Sequence, residues 1–288
     1  MTTLAETAPR VRSGLGARTW RFVKRHALTA YALLVVAYLM LPIAVVIMFS
    51  FNAPKGRLNF VWQAFTLDNW INWDAVLGLR DAVVTSLQIG FLATVVATAL
   101  GTLIALAIVR HHFVGRGTTN VLVFLPMSTP EIVLGASLLT LFLNTTAVLE
   151  LGFWTIFIAH VMFIISFVVV TVKARLIGFD RHLEEAAMDL GANELTTFRK
   201  VTLPLIAPAM LAAALLGFAL SIDDFVITFF NAGSQTQTFP IFVWTTAQRA
   251  LPPQINVVAS AIFLIAIGLA LGNVLWQYRN AKPQRGAA

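Results

Sequence analysis

Long apolar runs constrain this chain more than any other feature. Six stretches, residues 27–50, 82–109, 119–143, 152–172, 208–230 and 256–278, each reach the roughly 20 residues that a helix needs to cross a bilayer. A helix bonds its own backbone, which is the condition that lipid sets on any segment spanning it. Of the 288 residues, 58% are hydrophobic and only 11% charged, whereas soluble domains carry about 25% charged residues. The expected fold class is therefore an all-α membrane protein with six transmembrane helices, and a soluble enzyme is excluded. The sequence has no cysteine, which also excludes disulfides, iron–sulfur clusters and thiolate zinc sites.

The basic residues set the orientation. Arg10, Arg12, Arg18, Arg21, Lys24 and Arg25 precede the first run, and Arg110 and Arg116 follow the second. Lys173, Arg175, Arg181, Arg199 and Lys200 lie between the fourth and fifth, and Arg279, Lys282 and Arg285 follow the sixth. These are 16 of the 20 Lys and Arg; only Lys55, Arg57, Arg80 and Arg249 fall on the other side. Positive residues stay inside, so both termini are expected in the cytoplasm. The tails are residues 1–26 and 279–288, flanking a six-span domain over 27–278. The net charge of +7 is thus a topology signal, in contact with membrane lipid, and no nucleic-acid partner is expected. The first run is too long for a signal-peptide core of about 7–15 residues, so it is read as a retained span.

Two stretches on the outer side are expected to be loops. Residues 52–80 carry Trp62, Trp70 and Trp73, which suit either an aromatic belt at the lipid–water boundary or contact with an extracytoplasmic partner. Residues 231–255 are marked by Gly233, Pro240, Pro252 and Pro253. The third span is interrupted by Pro126 and Pro130. Proline removes a backbone donor and disfavours helix in the residue before it, so this span is either kinked between neighbours or broken along a pathway.

The cytoplasmic segment 173–207 is the most informative. Leu183 to Leu190 reads as a short helix with Glu184 and Glu185 in its first turn, where the helix dipole favours acids. Gly191 stands where a helix end takes a left-handed residue. Asn193 offers a cap for a second short helix running to Lys200, and Leu203-Pro204 closes the unit. Ala186 and Ala187 leave one face bare, so another protein can approach closely.

Glu185-Ala186-Ala187, Gly191, Val201 and Leu203-Pro204 resemble the loop signature of binding-protein-dependent ABC importer permeases, in which isoleucine is commoner than Val201. The resemblance implies that this coupling loop docks on a separate ATPase subunit, with Glu185, Ala186, Ala187, Gly191, Leu203 and Pro204 as its contact and corner positions. It also implies a bacterial inner-membrane location, an ATPase pair that binds ATP and Mg, a second permease, an extracytoplasmic binding protein, and alternating access. Leu151–Trp154, Phe167–Asp180 and Ser221–Phe230 extend the likeness to the spermidine/putrescine importer permeases, specifically to the second of the two. Permeases for iron, sulfate and molybdate share the loop, so another cargo remains an alternative.

A polyamine path should offer carboxylates and aromatic faces, and ionisable groups inside a membrane suggest function. Asp223 and Asp224 in the fifth span and Glu131 in the third are the candidates. Adjacent helical residues point about 100° apart, so one aspartate is expected to face the pathway while the other meets a partner or caps a break. Glu131 is read either as a helix-start acid beside Pro130 or as a pathway group. Phe225, Phe229, Phe230 and Trp244 offer aromatic contact or simply pack. His160 is read as a neutral, hydrogen-bonded core histidine, and no cluster suggests a metal. No GxxxxGK[ST] phosphate loop is present, so the chain is read as neither an enzyme nor a cofactor holder. An autonomous secondary transporter would call for an inverted repeat, and none is legible.

Overall fold

A computed structural model describes residues 15–145 and 149–280; Arg10, Arg12, Lys282 and Arg285 of the basic tails lie outside the described residues. The helices in chain order are α1 (Leu15–Ser50), α2 (Asp68–Ile71), α3 (Leu79–Arg110), α4 (Arg116–Ser128), α5 (Glu131–Leu143), α6 (Phe153–Ile177), α7 (His182–Asp189), α8 (Glu194–Thr197), α9 (Leu203–Asp223), α10 (Val226–Asn231), α11 (Phe239–Ala247) and α12 (Pro253–Asn280). One isolated antiparallel bridge, Asn52 with Phe65, is the extended pairing found among the described residues. Four helical segments there are long and apolar enough to cross a membrane: His26–Ser50, Leu79–Arg110, Phe153–Ile177 and Glu194–Asp223. The pair α4 and α5 adds a fifth if the two arms are one span. The sixth expected run lies on the 28-residue α12.

The chain divides into two compact units, Met1–Trp73 with Pro252–Ala288, and Asp74–Leu251. In the first, α12 packs against α1 and α2. The expected outer loop after α1 is folded around three buried asparagines. Asn52 donates to Asn59 Oδ1 (2.6 Å) and to the Val61 carbonyl (2.9 Å). Asn69 donates to the carbonyls of Ser50 (3.0 Å) and Asn52 (2.8 Å). Phe51 stacks with Phe65 and with Trp70, at 5.5 and 5.3 Å. Buried amides need such partners, and here they replace the ladder that a longer hairpin would supply.

In the second unit α3, α6 and α9 pack on one another around Ala93, Ala97, Ala105, Ile164, Val168, Val172, Ile206 and Ala213. Lipid tails are as apolar as leucine, so helices in a membrane gain by close packing at small residues. A Cβ on Gly101 would sit 2.7 Å from Val168 Cγ1, and one on Gly217 would sit 2.5 Å from Ile164 Cγ2. A second cluster joins α5, α6 and α10 through Leu134, Leu138, Phe142, Ala159, Phe163 and Ile227.

The third run has a true break, and the fifth, expected as one span, is broken too. Between α4 and α5 the chain bends by 109°. Thr129 is extended, as the residue before Pro130 must be. Near the break the Ser128 and Thr129 hydroxyls donate back to the carbonyls of Phe124 (3.1 Å) and Leu125 (2.7 Å), which satisfies both hydroxyls within their own helix, as a segment in lipid requires. The fifth run stops at Asp223, turns through Asp224 and Phe225, and resumes as α10. The second expected outer loop contains α11, because Pro240 falls in its first turn, where a missing N–H costs nothing. The Phe239 N–H donates to Ser86 Oγ (2.8 Å) and ties α11 to α3.

Candidate functional site

The segment after α6 follows the expected local pattern as far as Gly191. Helix α7 begins with acids at Glu184 and Glu185. It ends with Gly191 N–H on the Met188 carbonyl (2.9 Å) and Ala192 N–H on the Ala187 carbonyl (3.1 Å), the bond pair of a Schellman corner. Gly191 has φ +89° with open space where a Cβ would stand, so the backbone conformation demands glycine, not crowding. Asn193 Oδ1 accepts from the Thr196 N–H (2.8 Å) and caps the next helix.

The second short helix differs from expectation. Leu203-Pro204 does not close it: α8, a π-helical turn over Phe198–Thr202 and α9 run on as one 30-residue helix, Glu194–Asp223. Pro204 has no N–H for the carbonyl one turn back, and its ring crowds that carbonyl. A widened turn, with Leu203 N–H on the Phe198 carbonyl, accommodates the proline without ending the helix. Of the two expected short helices only α7 stands separate, followed by the long helix that starts at Glu194.

No residue of α7 is buried. Glu185 is 57% exposed along its side chain and, among the described residues, bonds only to His182 Nδ1, at 3.1 Å. Ala186 is exposed and Ala187 half-buried. Leu190 and Leu195 flank the corner at 89% and 66% exposure. Glu184, expected only as a first-turn acid, turns inward. Its Oε1 accepts from Arg110 Nη2 at 2.9 Å and from Thr202 Oγ1 at 2.6 Å. The Arg110 guanidinium also lies 5.3 Å from the centre of the Phe179 ring.

At the break in the fifth run the two aspartates separate. Asp224 turns inward and caps α10, accepting from the N–H groups of Ile227 (3.3 Å) and Thr228 (2.8 Å) and from Thr228 Oγ1 (2.7 Å). His160 of α6, 2% exposed, completes the network. Its Nδ1 lies 2.6 Å from Ser221 Oγ, and its Nε2 lies 2.9 Å from Thr228 Oγ1 and 3.3 Å from Asp224 Oδ2. A neutral imidazole protonated on Nε2 satisfies all of these partners, with the Ser221 hydroxyl donating to Nδ1. Asp223 is exposed and makes no hydrogen bond or ion pair among the described residues. Glu131 is the exposed first residue of α5.

Four aromatic rings come after Asp223. Phe225 lies 5.4 Å from both Phe229 and Trp244, and Phe229 lies 6.2 Å from Phe230. Phe229 and Trp244 are largely exposed. Asn231 then pins the far end of α10, donating to the Ile227 carbonyl (2.7 Å) and the Gly135 carbonyl of α5 (3.4 Å). Sequence reasoning gave no site role to Ser221, Thr228 or Asn231, and used Arg110 only as a topology charge. Each is an ordinary residue locally and acquires its role from a partner on another element. Among the described residues no group of three or more His, Asp or Glu is placed to hold a metal ion.

A family model described as the binding-protein-dependent transport system inner membrane component matches residues 97–280, a span that takes in α7 and both breaks. The chain is 36% identical over 264 residues to the spermidine/putrescine transport system permease protein PotC of Haemophilus influenzae, covering 90% of this chain and 98% of that one. It is 37% identical over 258 residues to the putrescine transport system permease protein PotI of Escherichia coli, covering 86% and 88%. Among solved structures, a chain of a bacterial alginate ABC transporter in complex with alginate pentasaccharide-bound periplasmic protein matches with a TM-score of 0.62 at 17% identity, over 92% of this chain and 99% of that chain. At that identity the likeness concerns the fold alone.

Proposed function

The chain belongs to the binding-protein-dependent transport system inner membrane components, and from that premise we propose that it is the permease subunit of an ATP-driven importer of polyamines. The observation that carries the cargo is identity of 36% and 37% to polyamine permeases over nearly the whole chain. It is a subunit of an inner-membrane transport system. It crosses the membrane six times with both termini in the cytoplasm, and α7 faces the cytoplasm with them. The exposed corner at Glu185, Ala186, Ala187 and Gly191 docks on one ATPase of a pair. Leu203 and Pro204, at the foot of α9, carry the motion into the span. The ATPases bind ATP and Mg; this chain needs no cofactor of its own.

A sister permease completes the pathway, and an extracytoplasmic binding protein delivers the cargo. Asp223 supplies a carboxylate to the ammonium groups, Phe229 and Trp244 supply faces to their alkyl chains and charge, and Glu131 contributes a second acid at the other break. Asp224 keeps α10 in place. Nucleotide binding need only favour two packings of the permease differently for the pathway to open on alternate sides.

The test is ATP hydrolysis by the complete complex in proteoliposomes, titrated with binding proteins loaded with spermidine, putrescine or an unrelated solute. Stimulation by a polyamine-loaded protein alone is expected. Stimulation by the unrelated solute alone would keep the importer and overturn its cargo.

A further inference from the structure

Helix α7 buries none of its residues, so apolar packing does little to fix it against the membrane-embedded helices. Among the described residues its side chains bond to the rest of the chain through Glu184 alone. That carboxylate reaches the last residue of α3, Arg110, at 2.9 Å, and the last residue of the π-helical turn, Thr202, at 2.6 Å. The Arg110 and Glu184 side chains are 12% and 15% exposed, and Thr202 is buried. Arg110 also covers Phe179, two residues beyond the end of α6. One carboxylate thus bonds α7 to the end of α3 and to the turn that leads into α9, two of the three helices that make the core of this unit.

We propose that Glu184, clamped by Arg110 and Thr202, is the positioning residue that converts displacement of α7 into displacement of α3 and α9. The inference rests on the reading that α7 docks on an ATPase. Two adjacent acids then have separate tasks. Glu185 points outward to the docking surface, and Glu184, about 100° around the helix, points inward to the spans. Charge-assisted bonds shielded from water are short and directional, so they transmit a push that an exposed surface pair, loosened by solvent and salt, would not. The core of α3, α6 and α9 is built from apolar contacts that do not involve Glu184. Loss of the clamp should therefore free α7 without dismantling the bundle.

The test uses the complete complex in proteoliposomes with spermidine-loaded binding protein, reading spermidine imported per ATP hydrolysed and, separately, retention of the ATPase subunits. Glu184→Gln should retain the ATPases and lower the import ratio at least about fivefold. The exchanged pair Arg110→Glu with Glu184→Arg should recover most of that ratio, which a role in bulk stability alone would not produce. Thr202→Val removes one of the two bonds, leaves the ion pair, and should lower the ratio about two- to threefold. If Glu184→Gln does not assemble, Thr202→Val decides. An unchanged ratio in an assembled Glu184→Gln or Thr202→Val complex overturns the proposal. Glu185→Lys separates the two readings: it should release the ATPases, and an assembled, fully coupled Glu185→Lys complex would overturn the docking reading beneath this one.

Discussion

At the scale of single residues, the break in the fifth run distinguishes two neighbouring aspartates that composition treats alike. Asp224 is held by four donors or partners, from Ile227, Thr228 and His160, while Asp223 is exposed. Asp224→Asn replaces an acceptor-only group with one that must also place two donors, among groups that are donors already. Leaving buried groups mismatched costs about 1–3 kcal/mol, so thermal unfolding of purified complex should shift down, and uptake should fall with the amount of folded protein. His160→Ala should behave in the same way. Asp223→Asn should leave the unfolding temperature unchanged and weaken uptake of spermidine, the longer cation, more than that of putrescine. Equal melting shifts for Asp223→Asn and Asp224→Asn would remove the distinction.

At the scale of elements, glycine sets how closely α6 and α9 approach. A Cβ at residue 217 would meet Ile164 Cγ2 at 2.5 Å, inside van der Waals contact. Overpacking of this kind costs about 1–3 kcal/mol, and Gly217→Ala should destabilise the permease by that order in thermal or denaturant unfolding. Ile164→Ala removes the opposing methyl group with the rest of the side chain, and the double variant should lose less than the sum of the two single losses, as coupled neighbours do in a double-mutant cycle. Strict additivity of the two losses would show that the close approach is not the cause. Gly191 is a different case, because nothing stands near its missing side chain. Gly191→Ala should cost about 1 kcal/mol or slightly more through its left-handed backbone, loosening the corner while leaving α9 intact.

At the scale of the whole molecule, the distribution of basic residues predicts which ends face the cytoplasm. The absence of native cysteine makes that directly measurable. Leu190 beside the α7 corner and Leu77 before α3 are among the most exposed apolar residues. A cysteine replacing Leu190 should react with a membrane-impermeant maleimide only in inside-out vesicles, and less once ATPase subunits are bound. A cysteine replacing Leu77 should react only in right-side-out cells or vesicles. The opposite pattern at both positions would invert the topology and remove α7 from reach of any cytoplasmic ATPase.

What the sequence determined by itself is what single residues and their immediate neighbours enforce. Apolar length calls for helices in lipid, Pro130 forces Thr129 out of helix, Gly191 supplies a left-handed corner, and Asn193 caps α8. Each of these rests on backbone sterics, a missing donor or solvation, and none needs a distant partner. Tertiary structure decided the rest. Pro204 read locally as a stop, yet continuous packing of α9 on α3 and α6 favours a widened turn that keeps the helix running. Asp224 turned inward, and not Asp223, because His160 stands 64 residues earlier in the chain to receive it. Glu184 turned inward because Arg110 lies 74 residues before it. Contacts at such separations depend on which faces the helices bury against one another, and local sequence carries no record of that choice.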